Sequence, residues 1–173
     1  MTNDYKTLVR DIPDYPKPGI VFKDITPLLQ DAGALRQSIL DMAKVAKDYK
    51  ITHIAGIESR GFIFGTALAL ELGIGFIPIR KPGKLPWKTF AESYDLEYGR
   101  DKLEIHVDAS SAGEKVLLID DLLATGGTAE AAVKLIRHTG AEVMACCVLI
   151  ELEFLKGREK LHGIPFHSLI KFS

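Results

Sequence analysis

The sequence predicts an α/β fold in which one domain has a mostly parallel central sheet flanked by helices. Short apolar runs alternate with segments of helical periodicity, an order that gives parallel strands joined by right-handed crossovers. The chain has 173 residues and is 47% hydrophobic, which suits one sizeable core over residues 1–173. A stretch rich in Pro, Gly and Lys over 80–107 interrupts the alternation and predicts an antiparallel excursion.

The helices and strands follow from the hydrophobic spacing along the chain. Residues 34–49 place Leu35, Ile39 and Met42 at helical spacing and leave Lys44 and Lys47 for the solvent face, which predicts a covering helix. The other predicted elements are strands over 51–57, 75–79, 116–119 and 143–150, helices over 61–72 and 128–138, and antiparallel segments over 93–97 and 102–106. Residues 1–30 are most simply an extended arm that closes one edge of the core.

The most informative segment is VLLIDDLLATGGT, residues 116–128. Its apolar start, Val116–Ile119, is typical of a strand buried on both faces. Asp120 and Asp121 end that run, at the sheet edge where open α/β folds bind ligands. There the two carboxylates can accept hydrogen bonds from vicinal hydroxyls or hold a divalent cation through water. A sugar and Mg²⁺ are the natural partners of such a pair.

The glycines that follow the acidic pair favour an anion. Successive backbone N–H groups at a helix start attract negative charge, and glycines allow close approach of a ligand. The residues that would form this phosphate loop are Ala124, Thr125, Gly126, Gly127 and Thr128. A simple helix cap and tight turn is the alternative, but the complete order of strand, acidic pair, glycines and helix favours a phosphorylated sugar. Neither the Walker pattern nor GxGxxG is present.

Two further segments carry cations that suit an anionic ligand. Glu58–Gly61 offers the Arg60 guanidinium and backbone N–H groups just before a helix, or else an ordinary turn with a surface ion pair between Glu58 and Arg60. The segment RKPGKLP places Arg80, Lys81 and Lys84 on a stretch that prolines and glycine keep irregular. On its own, that stretch is a solvated basic loop.

Charge and composition argue against several classes of protein. The net charge of −1 and the lack of like-charge blocks disfavour a nucleic-acid binder. The start of the chain lacks the basic and apolar regions of a signal peptide, and no run is long enough to span a bilayer. Cys146 and Cys147 suit small buried hydrophobes in a reducing compartment, so a cytoplasmic location is expected. The histidines lack zinc-site spacing.

These motifs together resemble a known family. VLLIDDLLATGGT is similar to the phosphoribosyl-pyrophosphate (PRPP) signature of the type I phosphoribosyltransferases. Within that family the chain more closely resembles the adenine phosphoribosyltransferases, on segments spread over nearly its full length. These segments are PKPGIVFKDITPLL at 16–29, ESRGF at 58–62, RKPGKLP at 80–86, YDLEYG at 94–99 and LKGREKL at 155–161.

The resemblance implies purine salvage, with adenine and PRPP as substrates and AMP and pyrophosphate as products. It implies Mg²⁺ that is carried by PRPP and bridged through water to the acidic pair. It also implies a homodimer, an N-terminal hood over the base (1–30), a flexible lid (80–107) and a PRPP motif over 116–138. The implied catalytic residues are Glu97, Arg60, Asp120 and Asp121. Ala124, Thr125, Gly126, Gly127 and Thr128 would bind the 5′-phosphate, and Ser59, Arg60, Gly61, Arg80, Lys81 and Lys84 the pyrophosphate.

The resemblance further assigns adenine to Val21, Phe22 and Lys23, with the aromatic ring stacked on the purine and backbone groups reading its edge. A cis peptide is implied between Ser59 and Arg60. Two other functions stay open: a regulator that binds PRPP as an effector, which the absent basic patch disfavours, and a transferase for another base, which the hood segment disfavours. Gly157, Arg158 and Lys160 also match, but a capped surface turn explains them equally well.

Overall fold

The computed structural model describes residues 5–95 and 99–173 and has a five-stranded parallel sheet at its centre. The five strands are β3 (His53–Ile57), β4 (Gly75–Ile79), β7 (Lys115–Leu123), β8 (Glu142–Leu152) and β9 (Phe166–Phe172). Their order across the sheet is β4-β3-β7-β8-β9, and every neighbouring pair is parallel. The predicted α/β class and parallel sheet are confirmed.

Helices cover the sheet on both faces. Helices α2 (Ala32–Lys47) and α3 (Arg60–Leu72) pack on one face, where Leu117 and Cys147 point. Helix α4 (Gly127–His138) packs on the other face with Leu118 and Cys146. Since successive side chains of a strand point to opposite faces, a continuous apolar run is needed to fill both cores.

Two antiparallel hairpins stand outside the main sheet. Strands β5 (Thr89–Asp95) and β6 (Arg100–His106) form the predicted excursion, and a bridge between Arg80 and Glu104 joins it to the end of β4. Near the N-terminus, β1 (Arg10–Pro13) pairs with β2 (Val21–Asp24), and the short helix α1 (Thr26–Gln30) follows. This region was expected to be an extended arm, but it is a hairpin followed by a helix.

The structure shifts several predicted boundaries, and two of these shifts have clear physical causes. The covering helix begins at Ala32 rather than at 34, because the Asp31 carboxylate caps it by accepting a hydrogen bond from the Ala34 N–H. The strand predicted over 116–119 runs through 115–123, so the acidic pair lies within β7 and not beyond it. Its pairing continues because Asp120 and Leu122 remain in register with β8.

The adjacent cysteines are fully buried on opposite faces of the sheet. Burial raises the pKa of the Cys147 thiol to about 12, which leaves it protonated and unreactive at neutral pH. Their predicted role as small buried hydrophobes is confirmed. None of the described helices is both long enough and apolar enough to cross a membrane.

Candidate active site

The acidic pair lies at the centre of the site. The Asp121 side chain is 8% exposed, and its Oδ2 is 2.8 Å from Nε of Arg60. No donor in the described residues is aligned to give that oxygen a hydrogen bond. Burial and the neighbouring Asp121 raise the pKa of Asp120 well above its ordinary value of 3.8. Burial also raises the pKa of Asp121, although Arg60 opposes the shift. Oδ1 of Asp120 accepts a hydrogen bond from the Asp121 backbone N–H at 2.9 Å, whereas Oδ2 of Asp121 has, among the described residues, only the ion pair with Arg60. The pair therefore has fewer donors than two ionised carboxylates need.

The phosphate loop follows β7 and leads into α4. Gly126 has a φ of +82° and occupies the position before the first helical residue, where its carbonyl accepts a hydrogen bond from the Glu130 N–H at 2.9 Å. The N–H groups of the first turn have no partner within a helix, so they are available to an anion. The predicted strand-loop-helix arrangement is therefore present, with the loop at the carboxyl end of a central strand.

One cavity of about 410 Å³ brings most of the predicted site residues together. From the predicted set, its lining includes Ser59, Arg60, Lys81, Asp120, Asp121, Ala124, Thr125, Gly126 and Thr128. It also includes Tyr94 and Leu122, which the sequence did not single out. These residues come from the ends of β3 and β7, the loop after β4 and the end of β5. A single cleft therefore joins the acidic pair to the phosphate loop and to two cations.

The loop after β3 differs in one respect from its expected geometry. The cis peptide bond joins Glu58 to Ser59, not Ser59 to Arg60. Ser59 already has helical backbone angles, with φ −102° and ψ −37°, so the next peptide belongs to the start of α3 and is trans. Gly61 does not line the cavity. It packs against β7, where an added Cβ would lie 3.0 Å from the Ile119 carbonyl oxygen.

Glu58 does not pair with Arg60, as the alternative interpretation of this turn required. Its carboxylate instead accepts hydrogen bonds from Nη2 of Arg80, at 3.4 Å, and from the backbone N–H of Lys81. This leaves Arg60 free to turn toward Asp121. The Glu58 carboxylate thereby holds the start of the basic loop beside the end of β3.

The three cations of the basic loop have different surroundings. Lys81 reaches the cavity, and its ammonium donates to the Tyr94 hydroxyl at 3.0 Å and pairs with Asp101. Burial opposes the charge on Lys81, but these two hydrogen bonds outweigh it and raise its pKa. Arg80 lies against Glu58, outside the cavity lining, and Lys84 is exposed. The structure thus places one of the three predicted lysine and arginine contacts in the cleft.

The hood reaches the same region from the other side. The guanidinium of Arg60 lies 5.0 Å from the centre of the Phe22 ring, so a cation–π contact links the hood to the acidic pair. Val21 and Lys23 line a neighbouring cavity of about 760 Å³, which shares Ala124 and Thr125 with the first. The ammonium of Lys23 pairs with Asp11 at 2.6 Å, so the Lys23 side chain links the two strands of the β1–β2 hairpin.

Glu97, the residue expected to assist proton removal, lies outside the described residues. Sequence reasoning also left out a segment that contacts the phosphate loop. Gly157 is buried, and a Cβ on it would lie 2.9 Å from the Gly126 nitrogen. The match of LKGREKL to the family was the available signal, and a surface turn was the wrong interpretation of Gly157.

Comparison with known proteins agrees with this geometry. The fold and the cleft are those of a phosphoribosyltransferase. Residues 22–163 match a family model described as the phosphoribosyl transferase domain. An adenine phosphoribosyltransferase of Methylococcus capsulatus is 56% identical over 95% of this chain and 96% of its own. The crystal structure of the Thermoanaerobacter pseudethanolicus adenine phosphoribosyltransferase is 52% identical, with a TM-score of 0.96 over 99% of this chain and 100% of that one.

A third relative was crystallised with a base in place. The Saccharomyces cerevisiae adenine phosphoribosyltransferase, complexed with an imino-altritol bisphosphate and adenine, is 41% identical, with a TM-score of 0.91 over 97% of both chains. The chain belongs to the adenine phosphoribosyltransferase family.

Proposed function

We propose that the protein transfers the 5-phosphoribosyl group of PRPP to adenine, giving AMP and pyrophosphate. The observation that carries the proposal is the single 410 Å³ cavity in which an acidic pair, a helix-start phosphate loop and two cations converge. Each of these groups matches one part of PRPP: the ribose hydroxyls, the 5′-phosphate and the diphosphate. Residues 1–173 would work as one phosphoribosyltransferase domain.

The phosphate loop holds the 5′-phosphate. Its backbone N–H groups at the start of α4, with hydroxyls from Thr125 and Thr128, supply donors and a favourable helix dipole. Asp120 and Asp121 accept hydrogen bonds from the ribose hydroxyls. Because burial raises the pKa of both carboxylates and Oδ2 of Asp121 lacks an aligned donor, a ligand that brings hydroxyl donors relieves part of their desolvation. Binding of the ribose therefore stabilises the ionised pair.

The diphosphate lies toward Ser59, Arg60, Gly61 and the basic loop. Arg60 and Lys81 line the cavity now, whereas Arg80 and Lys84 would reach the ligand only through movement of the lid. Lys81 exchanges its contacts with Tyr94 and Asp101 for phosphate oxygens. The transition state separates a cation-like ribosyl group from a highly charged leaving group, so fixed positive charge around the diphosphate lowers the barrier.

The acidic pair also fits Mg²⁺. The buried Oδ2 of Asp121 lacks an aligned donor, and carboxylates are ligands that Mg²⁺ prefers, directly or through water. Neutralisation of the leaving diphosphate is the chemistry that Mg²⁺ supplies when it is bound. Asp120 and Asp121 would hold it through water while they orient the ribose.

The hood holds adenine. Phe22 stacks on the purine, and backbone groups of Val21 to Lys23 read its edge, so a base with a carbonyl in place of the exocyclic amine is rejected. The nitrogen of the base attacks the anomeric carbon, the bond to pyrophosphate breaks, and Glu97 assists removal of the proton from the base. The lid excludes water during this step.

The protein assembles as a homodimer. It works in the cytoplasm, where its two buried thiols stay reduced. Helix α3 supplies a surface for the dimer contact. Ile63 and Leu70 lie on one face of this helix, and they are 40% and 79% exposed. Sedimentation of the protein and of a Leu70→Lys variant tests this, with a dimer expected for the first and monomer for the second.

The reaction is tested by supplying PRPP and Mg²⁺ with adenine, hypoxanthine, guanine, xanthine, uracil or orotate separately and measuring pyrophosphate release. Release with adenine alone supports the proposal. Release with another base leaves the phosphate chemistry in place and overturns the assignment of the hood. Binding of PRPP without release for any base makes the protein a regulator that uses PRPP as an effector.

A further inference from the structure

An ion pair between the buried Glu151 and the half-exposed Arg158 lies behind the phosphate loop and has no role in the chemistry described above. The carboxylate of Glu151, on β8, accepts hydrogen bonds from Nε and Nη2 of Arg158 at 2.7 and 2.6 Å, and from the Ser168 hydroxyl at 3.0 Å. Its side chain is 3% exposed. The Arg158 guanidinium also lies 5.2 Å from the centre of the Phe166 ring. Among the described residues that line the 410 Å³ cavity, neither Glu151 nor Arg158 appears.

The residue next to Arg158 touches the phosphate loop through its backbone. A Cβ placed on Gly157 would overlap the carbonyl oxygen of Ala124 and lie 2.9 Å from the Gly126 nitrogen. A Cβ placed on Gly126 would overlap the carbonyl oxygen of Gly157. The two backbones are thus in direct contact, and only glycine at both positions permits it. The segment around Gly157 forms the rear wall of the phosphate loop.

The ion pair fixes where that wall stands. Two parallel hydrogen bonds to a carboxylate define the plane and position of a guanidinium, and Glu151 itself belongs to β8, which pairs with a strand on each side. Lys156, with a φ of +53°, brings the chain back toward the loop immediately before Gly157. Arg158 lies in the short 3-10 helix Gly157–Leu161, and its ion pair with Glu151 anchors that helix to β8.

We infer that Glu151 and Arg158 are positioning residues that hold the phosphate loop through Gly157 in the geometry that binds a 5′-phosphate. The inference rests on the proposed function, since it names what that loop binds. It makes a selective prediction. Loss of the anchor weakens ligands that carry the 5′-phosphate, namely PRPP and, in the reverse reaction, AMP. Adenine and pyrophosphate lack that group and are affected little.

The first test is kinetic and uses Arg158→Met, Arg158→Lys and the exposed control Arg36→Met, assayed in both directions. Because a misplacement of about 1 Å at a binding loop costs about 100-fold in rate, we expect Arg158→Met to raise the KM of PRPP and AMP at least about tenfold and those of adenine and pyrophosphate less than about twofold. Lysine keeps the charge but not the paired hydrogen bonds. We therefore expect the KM values of Arg158→Lys for PRPP and AMP to lie between those of the wild type and those of Arg158→Met. The control matches wild type.

A parallel rise of all four KM values, or no change in any, overturns the inference. A second variant leaves the ion pair intact and moves the wall directly. Gly157→Ala adds a Cβ against Ala124, while the control Gly33→Ala, on α2, meets only the Asp31 side chain at 3.3 Å. Gly157→Ala is expected to give the same selective rise, which tests the contact between Gly157 and the loop. Arg158→Lys tests the ion pair where Arg158→Met does not fold.

Failure of the proposed function is separable from failure of the inference. If the wild-type protein makes no AMP, the proposed function is contradicted. Calorimetric binding of ribose 5-phosphate and of pyrophosphate to the wild type, to Arg158→Lys and to Gly157→Ala then tests the inference without turnover. Selective loss of ribose 5-phosphate binding in both variants supports the anchor, and binding by Arg158→Lys equal to that of the wild type overturns it.

Discussion

The close contact between Gly126 and Gly157 makes Gly126→Ala the sharpest test of the phosphate loop. Gly126 has a φ of +82°, and a Cβ there would overlap the Gly157 carbonyl oxygen and lie 3.1 Å from its Cα. Because carbon atoms pack at about 3.5–4.0 Å, the loop has to move by about 1 Å. A shift of that size at a binding loop costs about 100-fold in kcat/KM. This equals about 2.7 kcal/mol of lost transition-state stabilisation.

Gly113→Ala is the matched control, since Gly113 has a φ of +87° and no atom within 4 Å of an added Cβ. Left-handed backbone costs an L-residue about 1–2 kcal/mol, so both variants lose that much free energy of unfolding. Denaturant unfolding measures this shared loss, and steady-state kinetics with varied PRPP measure the difference. If Gly126→Ala binds PRPP as tightly as Gly113→Ala does, the contact with Gly157 does not set the loop geometry.

Three further predictions concern carboxylates. Asp121→Ala should reduce turnover far more than it reduces stability, because it removes an acceptor for the ribose; wild-type turnover would refute this role. Glu97→Gln should lower kcat with little change in adenine affinity, as seen by steady-state kinetics, and an unchanged kcat would make Glu97 structural. The hydrogen bonds from Arg158 lower the pKa of Glu151 despite burial, so the ionised carboxylate adds stability above its ordinary value of 4.5 and loses it in acid. Glu151→Gln should therefore lower the free energy of unfolding by about 2 kcal/mol at pH 7. The loss should become progressively smaller below pH 4.5. If unfolding titrations show a loss that does not depend on pH, they argue against the ion pair.

The parallel sheet was predictable because its central strands are buried on both faces. A run such as Val116–Ile119 is typical of a strand buried on both faces, and helical spacing between the runs indicated the crossovers. β9, over Phe166–Phe172, was not predicted, because it lies at the sheet edge and polar residues interrupt its apolar ones. The β1–β2 hairpin was missed for a related reason, since each of its strands has only four residues.

The candidate site was predictable where it is continuous in sequence. The acidic pair and the phosphate loop lie within one motif, so local order was enough to place them. The partners of individual groups depend on contacts between distant segments. Arg60 pairs with Asp121 rather than with Glu58, and the spacing of Glu58 and Arg60 gave no indication of that choice. Gly157 likewise contacts Gly126 only because β8, which pairs with β7, brings the chain back beside the phosphate loop.

The rear wall of the phosphate loop has a consequence for the timing of protein synthesis. Chains leave the ribosome from the N-terminus, so Gly157 emerges about thirty residues after the loop that it supports, and β9 emerges later still. A chain stalled between the two has the acidic pair and the glycines but neither the wall nor the strand that supplies Ser168 to Glu151. Only chains made through β9 would then have the phosphate loop backed by its wall and by the anchored Glu151.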